Sequence, residues 1–306
     1  MEVISARNLV KDYNGLRAVN GINFTVQRQE CFGILGPNGA GKTSTVRMMF
    51  GFSPITSGEL KVLGLDVSDH AREIKAQLGV VPQENNLDLD LKVLQNLLVY
   101  AGFFNIPERT ARERALKLLE FFGLSDKRDA KVDHLSGGMK RRLTIARALI
   151  NDPDIIILDE PTTGLDPQAR HTVWQRLRQL RSRGVTLILT THYLEEASQL
   201  CDRLIIMDHG IILDEGTPEF LVGKHVGSEV LEVGQGAGAG EMLITQFQSQ
   251  IRGHLVVGDN LVLYPLNGRQ LLASLQELPQ QFDHYLLRPA TLEDVFLKLT
   301  GRGLTV

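Results

Sequence analysis

The sequence predicts an α/β fold. Its expected core is a mixed, mainly parallel sheet covered by helices, with an antiparallel β-subdomain near the start, an inserted helical subdomain and a small α+β domain at the end. Three observations carry that expectation. A strand-like run, Glu30 to Leu35, leads directly into the turn Gly36-Pro37-Asn38-Gly39-Ala40-Gly41-Lys42-Thr43, and a helical stretch follows to Phe50. Two later runs, Ile155 to Leu158 and Val185 to Thr191, have the length and unbroken hydrophobicity of strands buried on both faces. The segment after residue 224 changes pattern and alternates short strands and helices in the order βαββαβ.

Residues 1–30 and 57–67 alternate apolar and polar side chains, as in Ile22-Asn23-Phe24-Thr25-Val26, which suits strands with one face on a core. In the turn after Leu35, Gly36, Gly39 and Gly41 are expected to take positive φ, so that successive N–H groups at a helix N-terminus converge on one phosphate. Asn38 lies within that cradle. Lys42 would reach the β- and γ-phosphates, Thr43 would offer its hydroxyl to Mg²⁺, and Ser44 would add a hydroxyl to a phosphate. A glycine turn that merely caps a helix leaves Lys42-Thr43 without a reason.

Gly79 to Gln83 forms another short strand, and Gln83 at its end can touch both Mg²⁺ and an attacking water. From about 84 to 134 the spacing is helical: Val93, Leu94, Leu97 and Leu98, then Ala115, Leu118, Leu119 and Phe122. Phe103-Phe104 and Phe121-Phe122 are expected to form the core of this inserted subdomain. Asp159 and Glu160 close the next strand, where ligands of open α/β sheets gather. Asp159 is the expected Mg²⁺ partner through water. Glu160 is placed to orient and deprotonate the attacking water, a role worth about 10²- to 10⁴-fold in rate. Asp166 caps the helix beginning at Pro167. A lone His is more often structural, but His192 ends the Val185–Thr191 strand and would there face the γ-phosphate. Lys140-Arg141-Arg142 is expected to be a solvated helix face.

The final segment carries strand 228–233, helix 241–251, strands 254–258 and 260–264 joined at Gly258-Asp259-Asn260, helix 268–277 and strand 283–288, a ferredoxin-like order. A linker is expected after residue 224, marked by Gly234-Gln235-Gly236-Ala237-Gly238-Ala239-Gly240. Thr291 caps a terminal helix with Asp294 in its first turn. No catalytic constellation occurs here, and a regulatory or dimer-stabilising role and a passive covering module both stay open.

Length allows two domains, at 306 residues with 43% apolar content and a net charge of −3. No apolar run approaches the ~20 residues of a membrane span, and Met1-Glu2-Val3-Ile4-Ser5 has neither a basic region nor a signal core. The mildly acidic balance argues against nucleic acid as a main partner. Cys31 and Cys201 are far apart in sequence and are expected to be free thiols.

The loop, Gln83, Leu135-Ser136-Gly137-Gly138, Asp159-Glu160, Thr163-Gly164-Leu165-Asp166 and His192 together resemble the nucleotide-binding subunit of an ATP-binding cassette (ABC) transporter, over about residues 1 to 224. The Ser-Gly-Gly signature is the most specific element, and a metabolic phosphate-loop kinase lacks it. The resemblance implies a P-loop NTPase cassette that binds ATP and Mg²⁺. It further implies that two subunits close head-to-tail, with Ser136 and the amides of Gly137 and Gly138 on the γ-phosphate held by the partner. Tyr13 matches the aromatic that stacks on adenine, and Asp166 the residue that communicates across the dimer. The common signature ends in Gln where this chain has Met139, which removes any hydrogen bond of that amide. Leu292 to Arg302, with Ser136 to Arg142, is similar to exporters with a separate integral membrane ABC-2-type permease, such as daunorubicin-resistance ATPases. Glu30 to Gly33, Asn86 to Leu89, Ala148 to Pro153 and Asp166 to His171 are similar to the NodI-type lipo-oligosaccharide exporter ATPases.

The implied assembly is a dimer of cassettes at the cytoplasmic face of the membrane, exporting an amphiphile, with Asn86-Leu87-Asp88-Leu89 near the permease contact. ABC ATPases that act on ribosomes or DNA are the alternative. Those usually carry two cassettes or long insertions, and this chain has one phosphate loop, no sustained heptads and no Cys cluster.

Overall fold

The computed structural model describes residues 1–279 and 282–301. Strands β1 (Glu2–Tyr13), β2 (Leu16–Gln27), β4 (Ser57–Val62) and β5 (Leu65–Asp66) form an antiparallel sheet in the order β2-β1-β4-β5. The β1–β2 connection is Asn14-Gly15, with φ of 45° and 90°, as a two-residue hairpin turn of matching twist requires.

β3 (Cys31–Leu35) leaves that layer for a second sheet. With β6 (Leu78–Val81), β7 (Ile155–Asp159), β8 (Thr186–Thr191), β9 (Arg203–Asp208) and β10 (Ile211–Gly216) it gives the order β10-β9-β3-β8-β7-β6. The five strands from β9 to β6 run parallel. Their register levels the carboxyl ends: Leu35 lies beside Thr191, Thr190 beside Asp159, and Leu158 beside Val81. β3, β7 and β8 are fully buried, which is why their sequences lack alternation. The main core joins both sheets, with Leu9, Phe24, Phe32, Met48, Leu60 and Ile157 in one cluster. Phe24 and Phe32 stack across it at 5.8 Å.

Helices α1 (Lys42–Met49), α2 (Val67–Gln77), α5 (Gly137–Ala148), α6 (Pro167–Ser182) and α7 (Leu194–Leu200) accompany the parallel strands. The inserted subdomain holds α3 (Val93–Gly102) and α4 (Glu108–Phe121). Its core is Leu97, Ala101, Ala115, Leu119 and Phe122, all 0% exposed. Phe103, expected there, is 76% exposed instead. The reason is that α3 ends at Gly102, so the helical spacing that buries Leu97 and Ala101 no longer governs the next residue.

The chain divides into two compact units, one ending at Leu213 and one beginning at Asp214. The sequence placed its boundary after 224. The units part earlier because α8 (Pro218–His225) belongs with the second: Asp214 pairs with Lys224 at 2.6 Å and with His225, and Lys298 donates to the His225 carbonyl at 2.6 Å. The second unit runs β11 (Glu229–Val233), α9 (Gly240–Gln246), β12 (Ile251–Val257), β13 (Asn260–Pro265), α10 (Gly268–Gln276), β14 (Tyr285–Pro289) and α11 (Leu292–Thr300). All neighbours in the order β12-β13-β11-β14 are antiparallel, the ferredoxin-like arrangement.

Helix α9 is shorter than the expected 241–251, because the chain turns at Phe247 and Ile251 already pairs with Pro265. The glycine run 234–240 connects β11 to α9 inside this unit rather than preceding it. Gly258 takes φ of 60° in the β12–β13 turn, and Thr291 and Asp294 form a reciprocal cap at the start of α11. Asp294 is 1% exposed and bonds Arg288 at 2.7 and 2.8 Å, which holds its carboxyl below the usual range despite burial. Arg302 lies outside the described residues.

Candidate nucleotide site

A cleft of about 430 Å³ opens at the carboxyl ends of the parallel strands, lined by Tyr13, Leu16, Ala18, residues 38–44, Gln83 and Glu160. The loop shapes it by two different uses of glycine. Gly39 and Gly41 take φ of 84° and 101°, as expected, and Gly41 directly precedes α1 as its N-cap. Gly36 does not have positive φ. It is glycine because a Cβ there would lie 2.3 Å from the Met207 carbonyl oxygen of the neighbouring strand. Lys42 is 4% exposed, and its ammonium donates to the Gly36 and Pro37 carbonyls at 2.8 and 3.0 Å. Burial pushes its pKa down, and the nearby Glu160 and Asp159 oppose that.

Thr43 donates to Asp159 Oδ1 at 3.1 Å, and Thr190 donates to the same oxygen at 2.5 Å. Hydroxyl, carboxylate and the Gln83 amide are hard oxygen donors of the kind Mg²⁺ takes, so this set fits the ion. Glu160 stands at the focus of the rest. Gln83 Nε2 donates to its Oε2 at 3.2 Å, Thr163 donates to the same oxygen at 3.2 Å, Lys42 Nζ lies 3.5 Å from Oε1, and His192 Nδ1 lies 3.2 Å from Oε1. The His192 contact is close but poorly aligned for a hydrogen bond. Burial raises the Glu160 pKa, yet His192, Lys42 and Thr163 outweigh it and hold the carboxyl below its usual value. Glu160 is therefore ionised at neutral pH. Its backbone φ of 47° is unusual for a non-glycine residue, and its N–H is fixed by the carbonyl and hydroxyl of Thr190 at 3.1 and 3.0 Å.

Arg141 overturns the expectation of a solvated basic face. It is 4% exposed, and all five of its N–H donors are used. Nε reaches the Pro161 carbonyl at 2.6 Å, Nη1 those of Pro82 and Gln83 at 2.6 and 3.1 Å, and Nη2 those of Asp159 and Glu160, both at 3.1 Å. One guanidinium thus ties the signature helix to the Gln83 loop and to the acidic strand end. Burial pushes its pKa down to about 10, opposed by Glu196, Asp159 and Glu160, so it stays charged. Arg142 is also tied down, donating to the Phe122 carbonyl at 2.8 Å. The sequence did hold a signal, since Arg141, Ile145 and Ala148 share one buried helical stripe, but the flanking charges hid it. Also unanticipated is Glu196, 0% exposed, whose Oε1 accepts from Thr162 at 2.8 Å and Trp174 Nε1 at 2.9 Å. Burial raises its pKa.

The expected site residues do not form one cluster. Ser136, Gly138 and Asp166 line a separate opening with Met139, Arg142, Gln168, Ala169 and Thr172. Ser136 caps α5, accepting from the Met139 N–H at 3.3 Å, and Asp166 caps α6, accepting from Ala169 at 2.9 Å. Gly137 has open space where a side chain would project, whereas a Cβ on Gly138 would lie 2.8 Å from Ala169. Two adjacent helix N-termini therefore present an anion-favouring face away from the loop.

A phosphate loop on one face and a signature helix presented on another define one class of protein, the ATP-binding cassette ATPases. Residues 19–163 match the ABC transporter model, and residues 246–301 match that of the nodulation factor export protein NodI, C-terminal domain. The chain is 47% identical over 300 residues to the Nod factor export ATP-binding protein I of Burkholderia orbicola, covering 98% of this chain and 97% of that one. It is 46% identical over 302 residues to the protein so named from Rhizobium meliloti, covering 98% and 89%. The chain belongs to the ABC transporter ATP-binding subunits, in the family of the Nod factor export ATP-binding proteins I. Among solved structures, cbiO1 from Clostridium perfringens, part of an ABC transporter complex, aligns with a TM-score of 0.67 at 26% identity, covering 81% of this chain and 95% of that one. A dimeric cassette in a post-hydrolysis state, bound to ADP and Pi, aligns with a TM-score of 0.64 at 28% identity, covering 70% and 98%. The protein is an ATPase. No helix among the described residues is long and apolar enough to cross a membrane.

Proposed function

We propose that this ATPase drives export of an amphiphile of the lipo-oligosaccharide class through a separate ABC-2-type permease at the cytoplasmic membrane face. The relatives' role in Nod factor export supports the substrate class. Two copies sandwich two MgATP: Tyr13 stacks on adenine, the loop from Gly36 to Ser44 holds the phosphates, and Ser136, Gly137, Gly138 and Asp166 of the other copy complete each site. Bound Mg²⁺, next to Thr43, Gln83 and Asp159, would neutralise charge on the β- and γ-phosphates. Glu160 orients and deprotonates water, and His192 contacts the γ-phosphate and keeps Glu160 charged.

The observation that carries this reading is the separation of Ser136 and Asp166 from the loop cleft within one chain. A complete site needs a second subunit. The test is complementation. Lys42→Ala and Ser136→Glu should each hydrolyse ATP at no more than about a hundredth of the wild-type rate. Mixed, they form dimers with one intact composite site and should recover turnover well above either alone. No recovery on mixing, with dimers demonstrated, would overturn the head-to-tail arrangement.

The permease contact is assigned to a groove of about 580 Å³ lined by Phe52, Tyr100, Phe103, Phe104 and Ile106, with Arg72, Lys75 and Arg114 at its edges. Phe52 and Phe103 are 69% and 76% exposed, and large exposed aromatics in a concave surface mark a docking site. Asn86 is linked to the groove's Tyr100 wall through Arg147, which donates to the Asn86 carbonyl at 2.6 Å and lies 4.9 Å over the Tyr100 ring. The double variant Phe52→Ala, Phe103→Ala is expected to cut export at least tenfold while the ATPase rate of the isolated protein stays within about twofold. Unchanged export would remove the groove from consideration.

A further inference from the structure

Lys11 is a buried cation that the nucleotide chemistry does not use. It is 6% exposed, and no carboxylate pairs with it among the described residues. Two contacts compensate the ammonium: the Pro54 carbonyl at 2.7 Å and the face of the Tyr13 ring, whose centroid lies 4.6 Å away. The spacing explains the pairing, since residues two apart on β1 project to the same side. Tyr13 lines the nucleotide cleft and Lys11 does not, so Lys11 contacts the ring without occupying the cleft. The ring is held at its other end as well, where the Tyr13 hydroxyl and Ser53 Oγ are 3.0 Å apart. Ser53 and Pro54 are consecutive, so the same short segment restrains both the hydroxyl and the cation.

The geometry points to Lys11 and Ser53 as positioning residues that clamp Tyr13 as a preformed platform for a purine base. The inference rests on reading Tyr13 as the adenine contact. A ring fixed before binding loses little rotamer freedom when the base arrives. A cation behind one face draws π density away from the other, which then accepts an electron-rich purine more favourably. The effect belongs to the base and not to the phosphates.

The test compares two ligands on the full chain by equilibrium binding: ADP, which has a base, and inorganic tripolyphosphate, which has none. Lys11→Met is expected to weaken ADP binding roughly three- to tenfold and to leave tripolyphosphate within twofold. Lys11→Arg should restore most of the loss, and Lys11→Met should add little in a Tyr13→Ala background. Ser53→Ala frees the ring from its other end and should weaken ADP alone, which keeps the clamp testable if Lys11→Met does not fold. Equal loss for both ligands would make Lys11 a general structural residue and overturn the inference. So would unchanged ADP binding in Lys11→Met and Ser53→Ala while Tyr13→Ala weakens it. If Tyr13→Ala itself leaves ADP binding unchanged, the adenine assignment fails first and the clamp with it.

Discussion

Glu160→Gln is expected to abolish most turnover, by about 10²- to 10⁴-fold, while ATP binding stays within a few-fold of wild type. The substitution keeps the size of the side chain and removes only the charge. In the native site that charge lies 3.5 Å from Lys42 Nζ and 3.2 Å from His192 Nδ1, and those neighbours hold the carboxyl ionised despite its burial. A neutral amide cannot take a proton from water. Chemistry therefore stops, but Lys42 keeps its bonds to the Gly36 and Pro37 carbonyls and the loop keeps its shape. If ATP bridges two copies and hydrolysis separates them, the variant should accumulate a closed dimer in MgATP, visible by light scattering. The sign of the pH dependence follows from the depressed pKa. Loss of wild-type activity through protonation of Glu160 should occur only below the usual 4.5, so an acid limb near neutrality would belong to another group. Turnover within tenfold of wild type would refute Glu160 as the base.

Arg141→Met is expected to destabilise the protein by about 3–5 kcal/mol, a large share of the ~5–15 kcal/mol that holds a typical domain. The guanidinium bonds the carbonyls of Pro82, Gln83, Asp159, Glu160 and Pro161. Without it, buried carbonyls lose a charged donor, at roughly 1–3 kcal/mol for each one left unsatisfied. Arg141→Lys should recover less than half of the loss, because an ammonium has three donors at a point and cannot span five carbonyls in a plane. Turnover should fall with stability, since the Gln83 loop and the Asp159–Glu160 strand end lose their common anchor. Denaturant unfolding measures the first effect and steady-state hydrolysis the second. A loss below about 1 kcal/mol would show that the carbonyls find other donors.

The cassette was legible because its chemistry is written in short segments. Strand, loop and helix from Cys31 to Met49 are contiguous, so the loop, its Lys42 and its Thr43 could be read from one short segment. Asp159, Glu160 and His192 were legible because each ends a continuous apolar strand, and parallel strands align their carboxyl ends. The ferredoxin-like order followed from pattern alone, although the end of α9 was misplaced by the absence of a Gly or Pro stop before Phe247. Arg141 and Phe103 went wrong for a shared reason. Charge and aromaticity state a preference for water or core, but the neighbouring backbone decides whether that preference can be met. For Arg141 five carbonyls replace solvent, and for Phe103 the end of α3 removes the core it would have entered.

The sequence by itself determined the ATP-binding cassette class and singled out the phosphate loop, Asp159, Glu160 and His192 as the candidate site, because those features depend on residue type at fixed local spacing. The tertiary structure decided what spacing cannot encode: that Gly36 is required by the carbonyl of Met207, that one arginine ties three segments together, and that Ser53 and Pro54 meet Tyr13 and Lys11. It also separated Ser136 and Asp166 from the loop. These are contacts between segments tens to hundreds of residues apart, and their energies come from burial and hydrogen-bond satisfaction, which exist only once the chain has folded.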